Sequence, residues 1–212
     1  MILFKFLNKI LYNIYKASGK LKCILYKVSL GENVSVIGNP IISRSENDVI
    51  KIGSDSSLIS KSRYTALGVN KPVILRTLYP NSKIIIGKDC GLSGTILCAA
   101  EGIEIGNDCL IGADVIISDT DFHSIAPENR RYEKRKEKIN HGKVKIGNNV
   151  FIGTKSVVMK NVEIGDNSVI GAGSVVTKSI PANVIAAGNP AVVIKSLLKK
   201  EKEYDLDLHT SI

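Results

Sequence analysis

The chain has 212 residues, enough for one domain with short flanking pieces. It is 44% hydrophobic but only 5% aromatic, with no Trp, which points to a core of aliphatic rows. The net charge of +9 favours anionic partners such as phosphate-bearing ligands or a membrane surface; no nucleic-acid motif accompanies it, so a nucleic-acid binder is set aside.

Residues 1–28 form the first unit. Apolar residues such as Phe6, Leu7, Ile10, Leu11 and Ile14 are interleaved with Lys5, Lys9, Lys16, Lys20, Lys22 and Lys27, and no acidic residue precedes Glu32. Lys5 and Lys9 leave the apolar run too short to span a bilayer. The segment also lacks the pattern of a secretory signal. It reads as a basic amphipathic helix. Two roles are compatible: capping the open end of the next unit, and peripheral contact with an anionic inner membrane face.

Residues 29–190 carry a repeat. Leu30-Gly31 and Ile52-Gly53 open looser copies, and residues 61–80 show no register. Phasing resumes at Ile86-Gly87, passes Leu92 and Cys98, slips by one before Ile105, and continues through Ile111 and Ile117. Residues 118–143 interrupt it with a charged insertion that includes Arg130, Arg131, Lys134 and Arg135. Beyond it, Ile146, Ile152, Val158, Ile164, Ile170 and Val176 recur at a spacing of six. A helix needs period 3.6 and a simple strand period 2. Period six means a short strand, a corner, and a return to the same inward face. This predicts an all-β solenoid whose coils bury their aliphatic rows against one another, with Gly and Asn at the corners. Residues 191–212 are expected to form a short helix and a frayed end.

The four cysteines, Cys23, Cys90, Cys98 and Cys109, show no C-x-x-C pair. Cys90 and Cys109 fall at small inward positions and are expected as buried free thiols, which suits a reducing cytoplasm.

The run Ile164-Gly165-Asp166-Asn167-Ser168-Val169-Ile170-Gly171-Ala172-Gly173-Ser174-Val175-Val176-Thr177-Lys178, followed by Ala186-Ala187-Gly188-Asn189-Pro190-Ala191, resembles the C-terminal half of the hexapeptide-repeat O-acetyltransferases. Maltose, galactoside and surface-polysaccharide acetyltransferases share it. The likeness is specific from about Ile86 to Leu197. It implies a left-handed parallel β-helix, a homotrimer with sites between subunits, acetyl-CoA as donor, and no metal requirement.

The resemblance also implies the site. Of His123, His141 and His209, only His123 stands where the coil ends and the loop leaves, in Ser118-Asp119-Thr120-Asp121-Phe122-His123. That is where the family places its catalytic histidine. A neutral imidazole takes the proton from an attacking hydroxyl, and Asp121 or Asp119 would orient the ring or meet the sugar. For the donor, the matching positions are Thr154, Ala172, Thr177, Lys178 and Lys195. For the acceptor they are Ser93 with Gly94 and Thr95, Asp119, and Phe151. Phe151 stands where the maltose and galactoside members often carry Trp, and Val192 where they carry Arg.

The expected activity is O-acetylation of a sugar hydroxyl on a bacterial-type surface polysaccharide or its precursor. The alternatives are acetylation of a small soluble sugar or amino sugar, a non-catalytic scaffold, and a zinc hydratase of the γ-carbonic-anhydrase kind. The hydratase needs three histidines on one metal, and no third ligand accompanies His123 and His141.

Overall fold

In the computed structural model, which describes residues 2–198, the period-six rows line the inside of a three-sided coil. Helix α1 (Ile2–Leu25) precedes it. The first turn is β1 (Ser29–Leu30), β2 (Ser35–Ile37) and β3 (Ile41–Ser43); the second is β4 (Val49–Ile52), β5 (Ser57–Ile59) and β6 (Ile74–Thr77). The third is β7 (Lys83–Ile86), β8 (Gly91–Ser93) and β9 (Ile96–Ala99); the fourth is β10 (Gly102–Ile105), β11 (Leu110–Ile111) and β12 (Ile116–Ser118). After the insertion come β13 (Val144–Ile146), β14 (Phe151–Ile152) and β15 (Val157–Val158), then β16 (Glu163–Ile164), β17 (Val169–Ile170) and β18 (Val175–Val176). Strands β19 (Val184–Gly188) and β20 (Ala191–Ser196) close the chain.

Every third strand pairs, giving three parallel sheets: a first through β1, β4, β7, β10, β13 and β16, a second through β2 to β17 continued by β19 and β20, and a third through β3 to β18. Residues one turn apart therefore stack. Ile86, Ile105, Ile146 and Ile164 form one row, Leu92, Ile111, Ile152 and Ile170 another, and Leu97, Ile117, Val158 and Val176 the third. All twelve side chains are buried. No single turn could bury its row alone, so stacking is the source of the core.

The corners are built from two devices. Asn149, Asn167 and Asn183 take positive φ (53°, 60° and 59°), and their side-chain amides bond in a ladder, each step 2.9 Å. Asn tolerates this left-handed backbone better than most residues. Small polar side chains tie neighbouring turns: the Ser56 hydroxyl donates to Gly87 O at 3.0 Å, the Cys90 thiol to Gly106 O and the Cys109 thiol to Gly147 O, both at 3.1 Å. Both thiols are free and buried, as their position in the repeat predicts.

Two sequence expectations need correction, and the stretch without register finds its place. The register slip lies earlier than expected. Leu97 rather than Cys98 occupies the inner row, because the corner after β8 is short and turns at Gly94 (φ +56°). The inward residues that follow, Leu97 and Ile105, are correspondingly farther apart than the usual six. Residues 61–80 contain a loop that returns over the coil, where the Asn70 backbone and side-chain N–H groups donate to the Asp114 carboxylate. The expected helix after residue 190 is instead a strand at its start: β20 pairs antiparallel with β19, which turns the end of the second sheet back on itself. Val192, Val193 and Ile194 suit that extended backbone better than a helix. Residues 199–212, including His209, lie outside the described residues.

Candidate active site at the loop junction

The insertion leaves the coil from the end of β12, at the corner between the third and first sheets. Its base is closed by a bridge between Thr120 and His141 and by the Gly142 N–H donating to Asp119 O at 2.9 Å. The chain then turns sharply. Phe122 has φ +62°, and the His123 N–H donates to Asp121 O at 2.7 Å. This turn leaves His123 exposed at the loop mouth, where it lines a cleft of about 550 Å³ with Pro127, Asn129, Arg130, Arg131 and Tyr132. Arg130 is held by Ile125 O at 2.7 Å, and the Arg131 guanidinium lies 5.7 Å from the Tyr132 ring centroid.

The two aspartates have other partners than expected. Asp119 is fully buried, and its carboxylate accepts the N–H groups of Ala100, Glu101 and Gly102 at 2.6, 2.8 and 2.7 Å. Burial pushes its pKa up, against the three N–H groups that favour the charged form. Asp119 therefore holds the corner between β9 and β10 and has no free edge for a sugar. Asp121 pairs with Lys160 at 2.6 Å, which ties the start of the loop to the turn below. Lys160 was not singled out from the sequence. Its only signal is its place after β15, equivalent to the Asp121 corner one turn away.

The expected donor positions divide along the third sheet. Thr154 and Ala172 stand at the corner before it, stacked on successive turns. The Thr154 hydroxyl donates to Ala113 O at 2.7 Å, and Thr154 O accepts the Gly173 N–H at 2.8 Å. Thr177 and Lys178 follow β18 at the opposite corner and are exposed. Between the two corners, Ile116, Val157 and Val175 form a half-buried outward row. This is an apolar floor with backbone polar groups on one margin and lysines on the other. Lys195 lies on β20, in the second sheet. Phe151 is exposed on the outer face of that same sheet, and Ser93 ends β8 there. Gly94 and Thr95 are buried, because a Cβ at Gly94 would stand 2.8 Å from Lys71 O beneath the covering loop. One chain thus gathers His123, Lys160 and Lys178 along one corner and leaves Ser93, Phe151 and Lys195 on another face. His141 is outside the His123 cleft; its Nδ1 lies 2.8 Å from Ile139 O.

Residues 143–178 match the bacterial transferase hexapeptide family, as six repeats. The chain is 37% identical to protein CapG of Staphylococcus aureus over 115 residues, which span 45% of this chain and 67% of that one. It is 40% identical over 117 residues to the polysialic acid O-acetyltransferase of Escherichia coli O1:K1 / APEC; the match spans 54% of this chain and only 36% of that protein's length. Among solved structures, galactoside acetyltransferase in complex with coenzyme A is 31% identical, with a TM-score of 0.51 over 80% of this chain and 65% of that one. The chain belongs to the bacterial hexapeptide-repeat transferases.

Proposed function

We propose that the protein is an acetyl-CoA-dependent O-acetyltransferase acting on a sugar hydroxyl of a surface polysaccharide or its precursor, with His123 as general base. The observation that carries this reading is the position of His123. It is exposed at the mouth of a cleft, where the loop leaves a coil whose relatives include acetyltransferases of sugars and of a polysaccharide. A sugar hydroxyl is a poor nucleophile until its proton is taken as it attacks. His123 is the group available to take it, a contribution of roughly 10²–10⁴-fold. Asp121, through Lys160, fixes the corner from which the His123 turn projects.

The floor between the Thr154–Ala172 corner and the Thr177–Lys178 corner fits the donor. Ile116, Val157 and Val175 would hold its pantetheine arm, the backbone at Ala172 would bond its amides, and Lys178 would meet its phosphates. When bound, the donor supplies the activated acetyl group. A backbone N–H of a neighbouring coil would stabilise negative charge developing on the thioester oxygen. The left hand of the coil and the homotrimer belong to the same reading. The hexapeptide repeats and parallel sheets support the left hand; the homotrimer is supported by Ser93, Phe151 and Lys195 lying on a different face from His123, so that a site using all of them needs a neighbouring copy. The buried free thiols suit a cytoplasmic setting.

The test is thioester turnover by the wild type and His123→Ala against a panel of sugars and lipid-linked glycans. Turnover should fall roughly 10²–10⁴-fold in the variant while donor binding persists. A wild type that does not bind acetyl-CoA would refute the reading.

A further inference from the structure

Helix α1 has two working faces, and the coil uses only one. The inner face is fixed by close contacts. Cys23 is fully buried, and the Gly38 N–H donates to Tyr15 O at 3.2 Å. A Cβ on Gly19 would stand 2.3 Å from Val36 O, so that position admits only glycine. Tyr12 and Tyr15 pack edge-on against Tyr64, with ring centroids 5.4 and 6.1 Å away. These contacts close the first turn of the coil.

The opposite face is apolar and bare. At 3.6 residues per turn, Phe6, Ile10, Ile14, Leu21, Ile24 and Leu25 fall within a sector of roughly 100°, directly away from Tyr15, Gly19 and Cys23. Phe6 is 60% exposed, Ile14 55%, Leu21 57%, Ile24 58% and Leu25 70%. Isolated exposed apolar residues are ordinary, but a continuous stripe along a helix marks an interaction surface. Exposed Lys9 and Lys20 line one edge of it, and no carboxylate occurs in the chain before Glu32. No described helix is long and apolar enough to cross a membrane.

We infer that α1 seats the protein on an anionic lipid bilayer. The helix axis lies in the plane of the surface, the apolar stripe sinks into the boundary between headgroups and acyl chains, and the lysines pair with lipid phosphates. Charge decides against a second copy of this helix as the occupant. Stripe-to-stripe pairing would crowd lysines from both helices together with no carboxylate on either. The inference stands apart from the acetyl-transfer reading.

The experiment is flotation of the full chain with vesicles of phosphatidylcholine alone, and with vesicles of equal parts phosphatidylcholine and phosphatidylglycerol. The wild type should float with the mixed vesicles and bind the neutral ones at least tenfold more weakly. The combined replacement of Ile10→Asn, Ile14→Asn and Leu21→Asn should abolish flotation without lowering the unfolding midpoint. Should that variant fail to fold, Lys9→Gln with Lys20→Gln remains as the test. It should weaken binding about thirtyfold, as expected for two lysines at an anionic surface. A wild type that stays in solution with the mixed vesicles overturns the inference. So does undiminished flotation of a folded Asn variant or of the Gln variant. If the wild type does not float and the Asn variant instead dissociates an assembly in sedimentation velocity, the stripe is a contact between copies.

Discussion

Replacing Asp119 by alanine removes the acceptor for three backbone N–H groups in one step, and the site is fully buried, so water cannot take its place. Each buried donor left unpaired costs about 1–3 kcal/mol. Asp119→Ala should therefore lower unfolding free energy by about 3 kcal/mol or more, measured by urea denaturation. Asp119→Asn keeps one carbonyl oxygen and should lose less. If Asp119→Ala were as stable as the wild type and lost only activity, Asp119 would be an acceptor contact after all. The Ser118–His123 string made both aspartates conspicuous from the sequence, but residue type does not disclose partners. The carboxylate of Asp119 faces amides seventeen to nineteen positions earlier, and that of Asp121 meets a lysine thirty-nine positions later. Both separations follow from how turns stack around the loop. The place of His123 at the loop mouth was legible because a junction between repeat and loop can be seen in a sequence; its proposed role came from the family resemblance.

At the scale of the turns, legibility followed periodicity. From Val144 to Ile180 every inward residue was readable because side and corner have constant length. Where Gly94 shortens one corner, counting by six puts Cys98 inside in place of Leu97. The C-terminal strand was missed for another reason: the Leu and the Lys-Glu mixture beyond it outweighed the β-branched run Val192-Val193-Ile194, which pairs with β19. The glycines of the repeat divide into two kinds, and substitutions should tell them apart. A Cβ on Gly106 would lie 2.6 Å from Gly147 O, backbone of the next turn, so the stack itself must move. Gly173 has φ +70° and nothing within 4 Å of its Cβ position, so alanine there meets only conformational strain. Gly106→Ala should cost about 1–3 kcal/mol, and Gly173→Ala about 1 kcal/mol. Their urea midpoints should rank in that order; equal midpoints would mean that the turns slide without cost.

On the scale of the whole molecule, each turn touches only its neighbours, so the coil should open from its ends rather than all at once. One end is closed by α1 over Cys23, and the other by the β19–β20 hairpin. Cys98 sits in β9, on the third turn. Burial raises both thiols to about 11, with Lys22 working against it at Cys23 and Arg76 at Cys98. Neither thiol is thus reactive in the closed state, and both depend on opening for access. Their thiolate chemistry is matched, so a difference in labelling rate reports a difference in opening. Lifting α1 frees Cys23 at the cost of one contact face. Cys98 faces outward from β9, between Arg76 and Ser118 in the register, so exposing it requires only that those neighbours give way. Under native conditions, maleimide labelling mapped by mass should therefore modify Cys98 at least tenfold faster than Cys23, equivalent to about 1.4 kcal/mol of opening free energy. Added urea should raise the Cys23 rate more steeply, since lifting α1 exposes more surface. Equal rates with equal urea slopes would instead make the cap and the coil one cooperative unit, with α1 as integral to the fold as any inner row.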